Sequence, residues 1–195
     1  QLSHPQQQRL LREMMLAFEG PEQTLDEDGR GLYHDTRCLL RYLRARSWDL
    51  EAAKEMLRAT GRWRKSFDLE GLAEGRYADA VGRENRSGKM YVRGYDRRGR
   101  PIVYLKARNE LCEDSESSVR HLVYCLERAT HCLDRRADQG KLPCTLCDRD
   151  AGMIVLLLDF SDCSLSNIVP ISVATETVSI LQNHYPERLG QAFIL

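Results

Sequence analysis

Residues Met153 to Leu158 read Met-Ile-Val-Leu-Leu-Leu, an unbroken apolar run closed by Asp159 and Phe160. No polar residue alternates within it, so a strand built from this run has no face to give to water and must be covered on both sides. It is far shorter than the roughly 18 apolar residues needed to cross a bilayer. A short strand covered on both faces belongs to a sheet with helical crossovers, and that requirement constrains the rest of the chain.

The flanking sequence supplies the crossovers. Before the run, Val119, Leu122, Val123, Leu126, Ala129 and Leu133 mark one face of a long amphipathic helix. After it, "ISVATETVSILQNHY" reads as a helix and "AFIL" as a strand. "MYVRGYD" and "PIVYLKA", separated by "RRGR", read as a β-hairpin. Strand, helix, strand, helix, strand predicts an α/β fold with a mostly parallel β-sheet and flanking helices.

The N-terminal third has a different period. Leu10, Leu11, Met14, Met15 and Phe18 recur at helical spacing, as do Leu39, Leu40 and Leu43. Leu50, Ala53, Met56, Leu57, Thr60, Trp63 and Phe67 form a third stripe. Asp35 is the expected cap of the second of these helices, and Ser47 or Asp49 of the third. The expected organisation is an N-terminal helical region over 1–85 and an α/β domain over 86–195.

Lysine plus arginine equals aspartate plus glutamate at 29 each, so no net field selects nucleic acid. The first residues lack the apolar core of a secretion signal. Seven cysteines, five of them in or beside apolar stretches, fit reduced thiols better than a disulfide framework. Cys144 and Cys147 have metal-ligand or redox spacing, but a polar stretch and a strand follow them, and an ordinary loop is the simpler reading. No glycine-rich loop follows the central strand, no nucleophile elbow is present, and no paired histidines have zinc spacing. No catalytic residue, metal ligand or cofactor is therefore expected.

Three features leave two readings open. Asp159 ends the central strand with Asp162 nearby; the pair could serve an α/β enzyme or simply cap the loop. Arg37, Arg41 and Arg44 share a helix face, Arg46 follows, and Arg62, Arg64 and Lys65 lie on the next helix, a set able to grip a phosphate or to pair with acids such as Glu51 and Glu55. In "QNHYPERLG", Pro186 ends a helix, and Glu187 and Arg188 pair with each other or with a neighbour.

Three blocks together resemble the CRAL-TRIO family of lipid-binding domains. They are "LLRYLRARSWDLEAAKEMLRATGRWRKSFDL", "YDRRGRPIVYL", and "LLLDFSDCS" followed by "ILQNHYPERLG". The resemblance covers about Asp35 to Leu195. It implies a non-enzymatic module that binds phosphatidylinositol or another hydrophobic molecule in an apolar pocket and exchanges it at membranes. It implies a cytoplasmic chain that touches a membrane surface transiently, with a monomer expected. An alternative within the family is a scaffold with a degenerate pocket. The family continues past "AFIL", so the resemblance also implies C-terminal truncation.

By position in the family's motifs, Arg46 and Glu187 fall on the headgroup side, and Arg44 joins them as a further candidate. The lysine that follows the arginine in phosphatidylinositol-binding members is replaced by Ser47. The positions matching the hydroxyl side chains of choline-lipid sites hold Ile154 and Leu156. Val103, Leu105, Ile154, Leu156, Leu158, Val178 and Phe193 are the pocket candidates, before strand parity is known.

Overall fold

The apolar run forms the third strand of a four-stranded sheet in a computed structural model that describes residues 3–18, 36–110, 114–142, 148–164 and 169–195. The strands are β1 (Met90–Tyr95), β2 (Pro101–Lys106), β3 (Ile154–Asp159) and β4 (Leu189–Ile194), in that spatial order. β1 pairs antiparallel with β2, and β2–β3 and β3–β4 are parallel. The helices are α1 (His4–Ala17), α2 (Thr36–Ala45), α3 (Leu50–Phe67), α4 (Leu69–Ala73), α5 (Ala78–Arg86), α6 (Ser115–Asp138) and α7 (Ile171–His184). The mixed α/β architecture is the expected one. The short α4 and α5 have no counterpart in the sequence reading.

Contacts divide the chain into two compact units, residues 1–69 with 183–187 and residues 70–182 with 188–195. This differs from a boundary at 85/86, because α5 packs along α6 and holds the start of β1 through Glu84.

In the helical unit, Met14, Phe18, Leu39, Leu43 and Leu57 are sealed together. Their spacing puts each on the inner stripe of its helix, as the periodicity requires. α3 starts at Asp49, whose carboxylate accepts from the Ala52 amide at 3.0 Å, and it ends at Asp68 in the left-handed region. Asp35 lies outside the described residues.

In the sheet unit, the hairpin turn is organised by Asp96. Its carboxylate accepts from the amides of Arg98 and Arg100 and from Arg100 Nε at 2.7 Å. Burial would raise the Asp96 carboxyl, but hydrogen bonds from the Arg100 backbone and side chain outweigh it and hold the group below its usual range. Gly99 has φ of +81°, and a Cβ there would stand 2.9 Å from Arg136 Nη2. Thus Asp-Arg-Arg-Gly-Arg-Pro is a folding unit: an acceptor, a left-handed glycine, and a buried arginine that reaches Gln191 Oε1 on β4 at 2.6 Å.

Candidate functional site

Strand parity follows from the ladders. Val92, Val103, Leu156 and Ala192 form one row across the sheet, and Met90, Leu105, Leu158 and Ile194 the next. Side chains two apart on a strand share a face, so Ile154 joins them. This face carries no polar side chain in those rows. Phe193 pairs with Leu157 and Tyr104, and therefore projects from the opposite face; parity corrects its grouping with the other strand candidates. Val103 and Ile154 are sealed at 1% exposure, whereas Leu105, Leu156 and Leu158 are half-buried. The apolar face thus opens toward the C-terminal ends of the parallel strands, the end where open α/β sheets receive ligands. Val178 lies exposed on α7.

The "PERLG" block resolves into separate tasks. Arg188 is buried; its guanidinium donates to the Gly152 carbonyl at 3.2 Å and lies 3.5 Å from Asp134, while its carbonyl accepts from Ile154 N at 2.7 Å. Gly190 is required because a Cβ would meet Met153 Cβ at 2.9 Å. Arg188 is therefore paired with α6 and with the turn before β3. Glu187 is half-buried with φ of +58°. A glutamate in the left-handed region is strained by about 1 kcal/mol.

Arg46 sits in a comparable setting. The Trp48 amide donates to the Leu43 carbonyl at 2.7 Å and Ser47 N to Arg44 O at 3.0 Å, the paired bonds of a Schellman ending for α2. Arg46 is the C-cap residue and is exposed; Ser47 and Trp48 have φ of +53° and +69°. Arg44, two residues earlier, is half-buried. Arg46, Arg44 and Glu187 all belong to the helical unit. Of the acids expected to neutralise these cations, Glu55 pairs with Arg62, as that reading requires, and Glu51 pairs with Lys54, each at 2.7 Å. Ser47, Trp48 and Glu187 have no sequence signal for this, since serine, tryptophan and glutamate do not advertise positive φ.

Segment 183–187 is fastened by Trp63 and Thr60 of α3. The Trp63 indole stacks on the His184 ring at 4.2 Å and 7°, with Tyr185 edge-on at 6.0 Å. The Thr60 hydroxyl lies 3.1 Å from the Asn183 carbonyl and 3.3 Å from His184 Nδ1. The same hydroxyl lies 3.1 Å from the Met56 carbonyl; with one proton to give and two carbonyls in reach, it can accept from a protonated His184 Nδ1. Burial depresses the His184 pKa to about 4.

Asp159 accepts from Ser161 N at 3.0 Å and Ser161 Oγ at 2.6 Å, and pairs with Arg108 at 3.0 Å. The Ser161 bonds, then Arg108, hold its carboxyl below the usual range. That is a loop cap held as a carboxylate, a poor proton donor, and Asp162 is exposed with φ of +57°. Among the described residues no three His, Cys, Asp or Glu side chains converge on a metal position, and no helix is long and apolar enough to cross a membrane. Cys38 and Cys125 are buried, and Cys163 is exposed. Cys144 and Cys147 lie outside the described residues.

Comparison with known proteins assigns this architecture. The CRAL/TRIO domain model matches residues 85–195, and the CRAL/TRIO N-terminal domain model matches 11–59. The chain belongs to the CRAL-TRIO family. This CRAL-TRIO chain is 32% identical over 166 residues to phosphatidylinositol transfer protein PDR17 of Saccharomyces cerevisiae, covering 81% of the chain and 43% of that protein. It is 30% identical over 185 residues to CRAL-TRIO domain-containing protein C23B6.04c of Schizosaccharomyces pombe, covering 95% of the chain and 17% of that protein. It is 30% identical over 173 residues to the SEC14 cytosolic factor of Kluyveromyces lactis, covering 83% and 54% respectively. The chain thus spans between about a sixth and about half the length of these relatives. The crystal structure of Sfh5 superposes with a TM-score of 0.59 at 12% identity, over all of this chain and 72% of that one, a likeness of fold.

Proposed function

We propose that this CRAL-TRIO chain binds a lipid against the apolar face of its sheet and exchanges it between membranes without catalysis, with phosphatidylinositol as the lipid class. The observation that carries the reading is the pair of polar-free ladder rows, open at Leu105, Leu156 and Leu158. Acyl chains laid there gain roughly 25 cal/mol per Å² of apolar area removed from water, so affinity needs few polar contacts. Val103 and Ile154 form the packed end of that face, and Val178 offers further apolar surface on α7. Similarity to proteins named as phosphatidylinositol transfer proteins supports the choice of lipid. Arg46 and Glu187, with Arg44 as a further candidate, serve the headgroup: an exposed guanidinium suits phosphate, and a carboxylate suits inositol hydroxyls. The membrane contact is transient and peripheral.

Phosphatidylinositol transfer between vesicles tests the headgroup residues. Arg46→Ala and Glu187→Ala are each expected to slow transfer about tenfold, the loss of one charge-assisted contact. Wild-type rates in both variants would remove the assignment. Native mass spectrometry tests the floor: Leu156→Trp fills the open face and is expected to abolish co-purifying lipid, and an undiminished lipid peak would place the ligand elsewhere.

A further inference from the structure

A charged and polar cluster is buried where α5, the start of β1 and α6 meet. The Lys89 ammonium is 2.5 Å from Glu84, 2.7 Å from Glu110 and 3.0 Å from Ser118 Oγ, so its three protons meet three acceptors. One turn along α6, His121 is completely buried. Its Nε2 faces Asn85 Oδ1 of α5 at 3.4 Å and Cys125 Sγ at 3.6 Å, and the Cys125 thiol turns to the Met90 carbonyl of β1 at 3.8 Å. His121 Nδ1 is buried and meets no partner among the described residues.

That arrangement suits a neutral imidazole, with Nε2–H directed at Asn85 and a bare lone pair at Nδ1. It is hostile to an imidazolium. A proton on Nδ1 would create a second buried donor with no acceptor. The groups facing the ring from each element offer little relief. Lys89, just before β1, repels an added positive charge. Glu84 of α5 attracts it, but its carboxylate, like that of Glu110 after β2, is already engaged by Lys89. Ser118 of α6 is an acceptor to the same ammonium, Asn85 is a single weak neutral partner, and Cys125 is held as a neutral thiol by burial. Burial first, then Lys89, depress the His121 pKa to about 4, against the weaker pull of Glu84.

We infer that the His121 cluster is an acid-sensitive latch: uptake of a proton by His121 loosens α6 from α5 and from the start of β1. In the closed junction His121 refuses the proton, and in the opened junction, where water reaches the ring, it accepts. Acid therefore favours opening here, by up to one proton's worth of linkage. The inference rests on the buried cluster alone and stands apart from the lipid reading.

Amide hydrogen exchange between pH 7 and 4.5, corrected for the intrinsic exchange rate at each pH, tests it. In the wild-type chain, protection of α5 and α6 peptides is expected to fall by up to tenfold per pH unit below about pH 6. His121→Gln keeps a neutral donor for Asn85 and should make the profile markedly flatter, subtracting whatever Glu84 and Glu110 contribute. Wild-type protection that ignores pH, or that falls equally in His121→Gln, would overturn the latch. Should that variant fail to fold, the histidine Cε1–H resonance of the wild-type chain decides. A His121 signal still neutral at pH 5 in the folded protein supports the latch, and titration near pH 6.5 overturns it.

Discussion

The helical unit and the sheet unit are held together by different chemistry. In the helical unit the buried side chains are nearly all apolar, with Thr60 and the phenols of Tyr42 and Tyr185 as polar exceptions among the described residues. In the sheet unit Glu84, Lys89, Arg100, His121 and Arg188 are buried among the apolar residues, and each joins segments far apart in sequence. Apolar packing is forgiving, because neighbours can shift to fill part of a gap. A buried ion pair is not, because removing one partner strands the other. The two units should therefore fail in different ways.

The sharpest way to break the comparison is Lys89→Met. It leaves Glu84 and Glu110 buried without their cation and should cost about 3–5 kcal/mol, seen as lost exchange protection in α5, β1 and α6. Adding Glu84→Gln should recover part of that loss. If Lys89→Met alone were neutral, charge would not be what holds the junction. The matching lesion in the helical unit is Leu57→Ala, at a fully sealed position. It should cost about 2–4 kcal/mol, with no single second substitution to rescue it. Both tryptophans, Trp48 and Trp63, lie in the helical unit, so tryptophan fluorescence during urea unfolding reports that lesion directly.

The same contrast explains what could be read from the sequence. Periodicity located α1, α2 and α3, because apolar packing is what holds the helical unit together. The unbroken run at 153–158 located β3 and, with it, the parallel sheet. Residues 69–86 gave no helix signal: Gly71, Gly75 and Gly82 interrupt them, and Leu69, Leu72 and Val81 are too few for a clear stripe. Lys89 and Glu84 look like solvated charges, and only the folded chain shows them buried. Arg188 and Gly190 stood in a recognised motif, but their tasks depend on Gly152, Asp134 and Met153, which no local rule connects to them. Phe193 stands among candidates from the other sheet face because alternation gives parity within a strand and never between strands.

Acid extends the comparison to the helical unit. His184 is neutral there down to about pH 4, against an ordinary value near 6.5 once unfolded. Between those values the unfolded chain binds the extra proton, so stability falls as pH drops from about 6.5 toward 4 and is level above that window. Partial exposure of the ring to water reduces the effect to about 1 kcal/mol. His184→Gln should remove this part of the acid response, read from the urea midpoint by Trp63 fluorescence. An unchanged pH slope would mean that the stacked ring does not carry it.

The smallest effect is expected at Ser47, and it sharpens the question of why the helical unit keeps strain at all. Ser47 occupies the left-handed position that closes α2, where glycine carries no Cβ penalty. Ser47→Gly should relieve that penalty at some cost in chain entropy, for a net gain of about 0.5 kcal/mol in the urea midpoint. The adjacent Trp48 is also left-handed, so two side chains are held in an unfavourable backbone directly after Arg46. If the strain exists to aim Arg46, the glycine variant will be more stable and slower in phosphatidylinositol transfer. If transfer is unchanged while stability rises, the strain is only the cost of turning sharply from α2 into α3, and the direction of Arg46 owes nothing to it.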